Sequence, residues 1–120
     1  FSKIPENLTE KSEQLLEQAL KSIPLGSQTF SKSLVQYPKG VSPFFIERGR
    51  GSKVWDVDGN EYIDFVNSLA AVTIGYCDKD VDKAVQEQMK NGVTFSLPHT
   101  LEMEVAEKLI DIIPCAEKVR

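Results

Sequence analysis

Two short runs of alternating polarity, Lys53-Val54-Trp55-Asp56-Val57 and Glu61-Tyr62-Ile63-Asp64-Phe65, bracket Asp58-Gly59-Asn60. In the first run Val54 and Asp56 share one side while Trp55 and Val57 share the other. In the second, Tyr62 and Asp64 oppose Ile63 and Phe65. A period of two is the period of a strand. Asp-Gly between two such runs signals a hairpin, because glycine adopts the positive φ that tight turns need. The spacing predicts strands over 53–57 and 61–65 with a turn at 58–60. Phe44-Phe45-Ile46-Glu47 is another β-prone run, and Arg48-Gly49-Arg50-Gly51 reads as the turn that follows it. Together they predict an antiparallel three-stranded meander with one buried face.

Asp56, Asp58 and Asn60 also place oxygen side chains at alternate positions, as calcium loops do. An EF-hand loop needs glycine at its sixth position and glutamate at its twelfth. Counted from Asp56, those positions hold Glu61 and Asn67, and the flanks are strands. The stretch therefore reads as a turn, and no metal ligand is assigned.

Helices are predicted on either side of the meander. Leu8, Leu15, Leu16, Ala19, Leu20 and Ile23 form an apolar stripe opposite Glu13, Gln14, Glu17 and Lys21, with Asn7 and Glu10 at capping-box spacing and Pro24 and Gly26 as the stop. The 17 residues from Ser27 to Pro43 have neither period, and a loop of that length is usually functional or disordered. Residues 66–76 are apolar and small without a clean period. A second helix starts at Asp78 or Asp80, carries Val81, Ala84, Val85 and Met89 on one face, and stops at Asn91-Gly92. A third begins after Thr100, turns Leu101, Val105, Leu109, Ile112 and Ile113 inward, and stops at Pro114.

Bulk properties narrow the function classes. The 120 residues suggest one domain; a net charge of −4 argues against a nucleic-acid or anionic-membrane surface. The longest apolar stretch, Leu69 to Ile74, falls far short of the ~20 residues that span a bilayer, and the N-terminus lacks the pattern of a secretory signal. Cys77 and Cys115 lack CxxC spacing and read as reduced thiols in or near the core of a cytoplasmic protein. The Asn7-Leu8-Thr9 sequon is read as chance. His99, the single histidine, has no Ser, Cys or acidic partner at motif spacing and reads as introducing the third helix. Asp78, Asp80 and Asp82 suit a helix start, where the helix dipole favours negative charge. Arg48, Arg50 and Lys53 read as a solvated basic turn. There is no P-loop and no GxGxxG, so residue chemistry alone stops at an α+β domain.

A family resemblance enters on FIERGRGSKVWDVDGNEYIDF, residues 45–65. This stretch resembles the N-terminal signature of class III, fold type I, pyridoxal-phosphate aminotransferases, in the branch that contains glutamate-1-semialdehyde aminomutase. LGSQTFSKSLVQYPKGVSP resembles the substrate-side loop of that branch. IGYCDKDVDKAVQEQM resembles the segment where members often read LGH before an amphipathic helix. GVTFSLPHTLEMEVAEKLIDIIPCAEKVR resembles the approach to the cofactor-phosphate loop. The likeness covers nearly all of residues 25–120.

The resemblance implies an α+β piece of a fold type I transferase whose α/β large domain is missing. It divides the chain into an N-terminal helix (1–26), a loop plus small-domain meander (27–66) and the start of the large, cofactor-binding domain (67–120). The cofactor would be pyridoxal 5'-phosphate, its lysine outside this chain, so no catalytic and no cofactor-binding residue is assigned. The parent would be a cytoplasmic homodimer acting on small-molecule amines and carbonyls by a ping-pong mechanism, and the 120-residue piece alone would be inactive. Ser31, Tyr37, Ser68, Leu69 and Ser96 are the candidate substrate-binding residues. In the related aminomutases a serine and, three positions on, an arginine contact substrate; here those positions hold Ser31 and Leu34. Ser68-Leu69 stands where aminomutases have Ser-Trp. These departures favour a transaminase, with the aminomutase as the alternative and a non-enzymatic binding module using Asp56, Asp58 and Asn60 as the second alternative.

Overall fold

The computed structural model describes residues 8–120, which fall into two compact units, one closing at Lys79 and one spanning Asp80–Arg120. The described chain is α+β. Helix α1 (Glu10–Ala19) precedes strands β1 (Ile46–Arg50), β2 (Lys53–Asp56) and β3 (Glu61–Ile63), and helices α2 (Lys79–Met89) and α3 (Thr100–Ile112) follow. The sheet is antiparallel in the order β1-β2-β3, as the alternation predicts.

The turns differ from the expected ones. Arg48-Gly49-Arg50 belongs to β1, pairing with Trp55, Val54 and Lys53, and the register shifts between Ile46 and Arg48. Only Gly51-Ser52 turns the chain, with Gly51 at φ 57°, the glycine-first arrangement of a two-residue hairpin loop. The glycines of this run thus divide the work. Gly51 makes the turn, while Gly49 leaves room for a ring: a Cβ there would stand 2.5 Å from Cγ of Tyr76. Arg48 of the supposed solvated turn lies across the ladder, its guanidinium carbon 3.8 Å from the Trp55 ring centroid, a cation–π contact. The β2–β3 turn is longer than predicted, taking in Val57 to Asn60 and closed by hydrogen bonds from Gly59 N to Asp56 O and from Asp56 N to Asn60 O.

In α1 the packed face is narrower than the leucine stripe. Ser12 and Leu16 are buried, whereas Leu8, Leu20 and Ile23 are exposed. Leu16 seats against Gly26, where a Cβ would come within 2.6 Å of its Cδ1. The N-cap position is Thr9, whose side chain makes no capping bond; the expected cap residue, Asn7, lies outside the described residues. The capping acceptor comes instead from the distant hairpin. Asp58 accepts from the backbone N–H groups of Lys11 (2.8 Å) and Ser12 (2.9 Å), two of the donors that a helix start leaves without intrahelical partners. A carboxylate is also favoured there by the helix dipole.

The loop from 27 to 43 is more ordered than its composition suggests, with 3₁₀ turns at Phe30–Lys32 and Leu34–Gln36. Between them Ser33 is fully buried, its hydroxyl donating to Phe30 O at 2.7 Å.

In the second unit α2 ends where Asn91-Gly92 predicts, Gly92 taking φ 99°. His99 does introduce α3: its Nδ1 accepts from Leu101 N at 3.1 Å and Glu102 returns the bond to His99 N at 3.0 Å. The imidazole also stacks on Phe95, centroids 5.3 Å apart. The apolar faces are not covered as expected. Leu101, Val105, Ile112 and Ile113 of the third helix, and Val81, Val85 and Met89 of the second, are exposed. Within this unit neither helix buries the other's apolar face. Cys77 and Cys115 are likewise exposed rather than in the core.

Candidate functional site

Beside Leu16 and Val54, the buried side chains described in the first unit are polar, and Ser12, Ser33 and Asp56 are each hydrogen-bonded through their side chains. Asp56, fully buried, accepts at one oxygen from Asp58 N (3.0 Å) and Asn60 N (2.8 Å), and at the other from Asn60 Nδ2 (2.9 Å) and Tyr62 Oη (2.8 Å). Asn60 also donates to Leu8 O. Ser12 Oγ accepts from the N–H groups of Phe44 (2.8 Å) and Phe45 (3.2 Å). A buried carboxylate persists only when hydrogen-bonded in this way. Asp56, Asp58 and Asn60 thus join the hairpin turn to α1 and to the strand entry, and their oxygens serve backbone and side-chain donors. The binding-module reading of these residues finds no support in that geometry.

A second carboxylate organises the other end of the sheet. Asp64 Oδ1 accepts from Val66 N (2.9 Å) and Asn67 N (3.0 Å), and Oδ2 accepts from Tyr76 Oη (2.6 Å). Between those partners the backbone runs left-handed through four consecutive non-glycine residues, Asn67 (φ 53°), Ser68 (47°), Leu69 (56°) and Ala70 (72°). Left-handed backbone costs roughly 1–2 kcal/mol per L-residue, and strain of this kind collects at functional sites. The segment returns to the sheet at Tyr76, whose N and O both pair with Gly51 at 2.9 Å. Gly75 passes so close to Gly51 that a Cβ would sit 3.1 Å from its backbone. An open concavity of about 410 Å³ lies within this arrangement, bounded by Ser52, Asp64, Asn67, Thr73 and Tyr76 among others.

Two tyrosines are perturbed by these carboxylates. Burial first, and then the hydrogen bond to Asp56, push Tyr62 up to about 12. The hydrogen bond to Asp64, with burial second, pushes Tyr76 to about 12. Burial raises the Asp56 carboxyl, but the bonds from Asn60 and Tyr62 outweigh it and hold it below the usual range. Asp64 is lowered chiefly by Tyr76. For a tyrosine raised in the folded state, the stabilisation is fully present below the unfolded value of 10.0 and is lost as pH rises through about 12. Unfolding free energy should therefore fall between those pH values, and the Tyr62→Phe, Tyr76→Phe double variant should lose that part of the slope. Denaturant titrations at stepped pH check this; a slope unchanged in the variant would refute it.

The sequence-predicted site residues lie in three places. Ser31 is exposed in the first 3₁₀ turn, its Oγ 3.3 Å from Thr29 Oγ1, and Tyr37 is half-buried just past the second. Ser68 and Leu69 are exposed on the left-handed turn, Leu69 at 73 %. Ser96 is exposed between α2 and α3, in the other unit. Hydrogen bonds among the described residues join none of the five to another. What the sequence reading missed is the network at the ends of that turn, with Asp64 bonded to Val66, Asn67 and Tyr76 and the Tyr76 ring against Gly49. Tyr76 had a signal, since it stands where the resembled family often has histidine; Asp64 looked like one polar position of a strand.

The concavity does not fit a phosphate-bearing cofactor. Its described lining residues include no lysine or arginine and do include the Asp64 carboxylate.

Known proteins supply the family. Residues 36–120 match the family described as Aminotransferase class-III. The chain is 43% identical over 110 residues to glutamate-1-semialdehyde 2,1-aminomutase 2 of an Exiguobacterium species, covering 92% of this chain and 25% of that protein. An omega-transaminase from Sphaerobacter thermophilus has the same fold with TM-score 0.76 and 33% identity, over 89% of this chain and 23% of that one. A transaminase solved with PLP bound gives TM-score 0.72 and 31% identity, over 86% and 23%. The chain spans about a quarter of the length of the relatives it matches. With residues 36–120, more than two-thirds of its length, inside the family match, this chain belongs to the class III aminotransferases.

Proposed function

We propose that this chain contributes the N-terminal helix (1–26), the small-domain loop and meander (27–66) and the first part of the large domain (67–120) of a pyridoxal-phosphate-dependent transaminase. The whole enzyme moves an amino group from an amine donor to a carbonyl acceptor, as a cytoplasmic homodimer. The cofactor supplies the electron sink for that chemistry, held by a lysine that this chain does not contain, so the 120 residues alone are inactive. Ser31, Tyr37, Ser68, Leu69 and Ser96 face the substrate.

The observation that carries the transaminase reading is Leu34. It opens the second 3₁₀ turn, half-buried and three residues after Ser31, at the position where the resembled aminomutases carry arginine. A guanidinium fork can grip a substrate carboxylate through two parallel bonds; an isobutyl group offers only apolar surface. A second reading, aminomutase, is favoured by the name of the 43%-identical relative.

The test uses the longest polypeptide that the reading frame carrying this chain encodes, loaded with pyridoxal phosphate. Incubated with primary-amine donors and 2-oxo acids or aldehydes as acceptors, it is expected to release the donor's carbonyl product. With glutamate-1-semialdehyde it is expected to make no 5-aminolevulinate above the uncatalysed rate. Catalysed 5-aminolevulinate formation in place of amino transfer would give the function to the second reading.

A further inference from the structure

Four left-handed L-residues in succession do not hold themselves. The turn has three backbone bonds of its own, Leu69 N to Val66 O at 3.1 Å with Ala71 N to Ser68 O and Val72 N to Asn67 O both at 3.3 Å, and one short side-chain bond, Thr73 Oγ1 donating to Ala70 O at 2.6 Å. They offset little of the roughly 1–2 kcal/mol that each such residue costs. The other holding groups lie at the two ends. At the entrance one oxygen of Asp64 takes the N–H groups of Val66 and Asn67; its other oxygen takes the hydroxyl of Tyr76, twelve residues on. At the exit the Tyr76 backbone is paired both ways with Gly51, and its ring lies against the bare Cα of Gly49 in β1. One carboxylate therefore ties the entrance of the turn to its exit, and the sheet anchors both.

We propose that Asp64 and Tyr76 are positioning residues that clamp the left-handed turn and thereby set where Ser68 and Leu69 meet the substrate. This rests on the reading of Ser68 and Leu69 as pocket wall. Neither Asp64 nor Tyr76 needs to touch the substrate. Leu69 is largely free of neighbours, so its position is set by its backbone, and the backbone by the clamp. When the hydroxyl of Tyr76 is removed, Asp64 keeps the entrance but loses the exit, and the turn is free to relax toward right-handed backbone.

The test uses the full-length, cofactor-loaded protein with Tyr76→Phe, with Asp64→Asn as a second variant of nearly unchanged shape and Tyr62→Phe as a control that loses a hydroxyl–carboxylate bond elsewhere. Hydrogen exchange is read on the peptide covering 66–72, alongside KM and kcat for amine and carbonyl. Tyr76→Phe is expected to speed exchange in 66–72 about ten-fold while peptides of β1 and β2 keep their protection. KM is expected to rise about five-fold with kcat within about two-fold, the pattern of lost substrate positioning. Tyr62→Phe is expected to leave 66–72 exchange unchanged. Unchanged exchange at 66–72 in both Tyr76→Phe and Asp64→Asn overturns the clamp. Faster exchange with an unmoved KM overturns its role toward substrate and leaves a structural contact. Were the wild-type protein inert toward amines and carbonyls, the proposed function would fail, while the exchange arm would still decide the clamp.

Discussion

Asp56→Ala is expected to be the most damaging single substitution in the described chain, lowering the unfolding free energy by about 3–5 kcal/mol. Four donors converge on this fully buried carboxylate, two from the backbone of the turn and two from Asn60 Nδ2 and Tyr62 Oη. Truncation leaves them without an acceptor in a place water does not reach, and an unsatisfied buried donor costs more than the bond contributed. The damage spreads along the network, because Asn60 also holds Leu8 and the same turn presents Asp58 to α1. Asp56→Asn keeps one acceptor oxygen and should lose about half as much. Urea unfolding of the intact protein followed by circular dichroism provides the measurement; a loss below about 1 kcal/mol for the alanine variant would show that the network is not cooperative.

The second large effect comes from a position with no side chain at all. Gly49→Val should cost about 2–3 kcal/mol, although valine is favoured in strands. A Cβ at residue 49 would stand 2.5 to 2.9 Å from three carbons of the Tyr76 ring. That ring cannot swing aside freely, being fixed by Asp64 through its hydroxyl and by Gly51 through its backbone. Gly40→Ala is the informative comparison. Nothing lies within 4 Å of a Cβ there, and only its φ of 81° opposes substitution, so a cost near 1 kcal/mol is expected. Thermal unfolding of the two variants side by side measures the difference; equal losses would mean that the ring moves at little cost.

The elements were largely legible in the sequence because their signals are local. Alternation from Val54 to Phe65 marks two strands, Asn91-Gly92 marks the end of α2, and His99 ahead of Thr100 marks the start of α3. The failures came where a distant partner decides. Arg48-Gly49-Arg50 looks like a turn until the Tyr76 ring is seen to occupy the space that Gly49 leaves. The cap of α1 looks like a matter for Asn7 and Glu10, whereas the described helix receives its acceptor from Asp58. Residues 66–76 lack any period because a left-handed turn has none of the patterns by which strands and right-handed helices are read. Of the candidate site, Ser68 and Leu69 could be named, through the family resemblance alone. The residues at the ends of their turn could not, since a glycine, an aspartate just past β3 and a tyrosine meet only after the sheet has brought them together.

The reach of Asp58 also bears on the order in which the chain acquires its structure. A ten-residue helix is marginal in water by itself, and the acceptor for Lys11 lies 47 residues further along. At the ~5–20 residues per second of protein synthesis, that acceptor leaves the ribosome a few seconds after the segment it caps. The hairpin must close before its carboxylate is in place. The cap of this helix therefore depends on a segment synthesised after it.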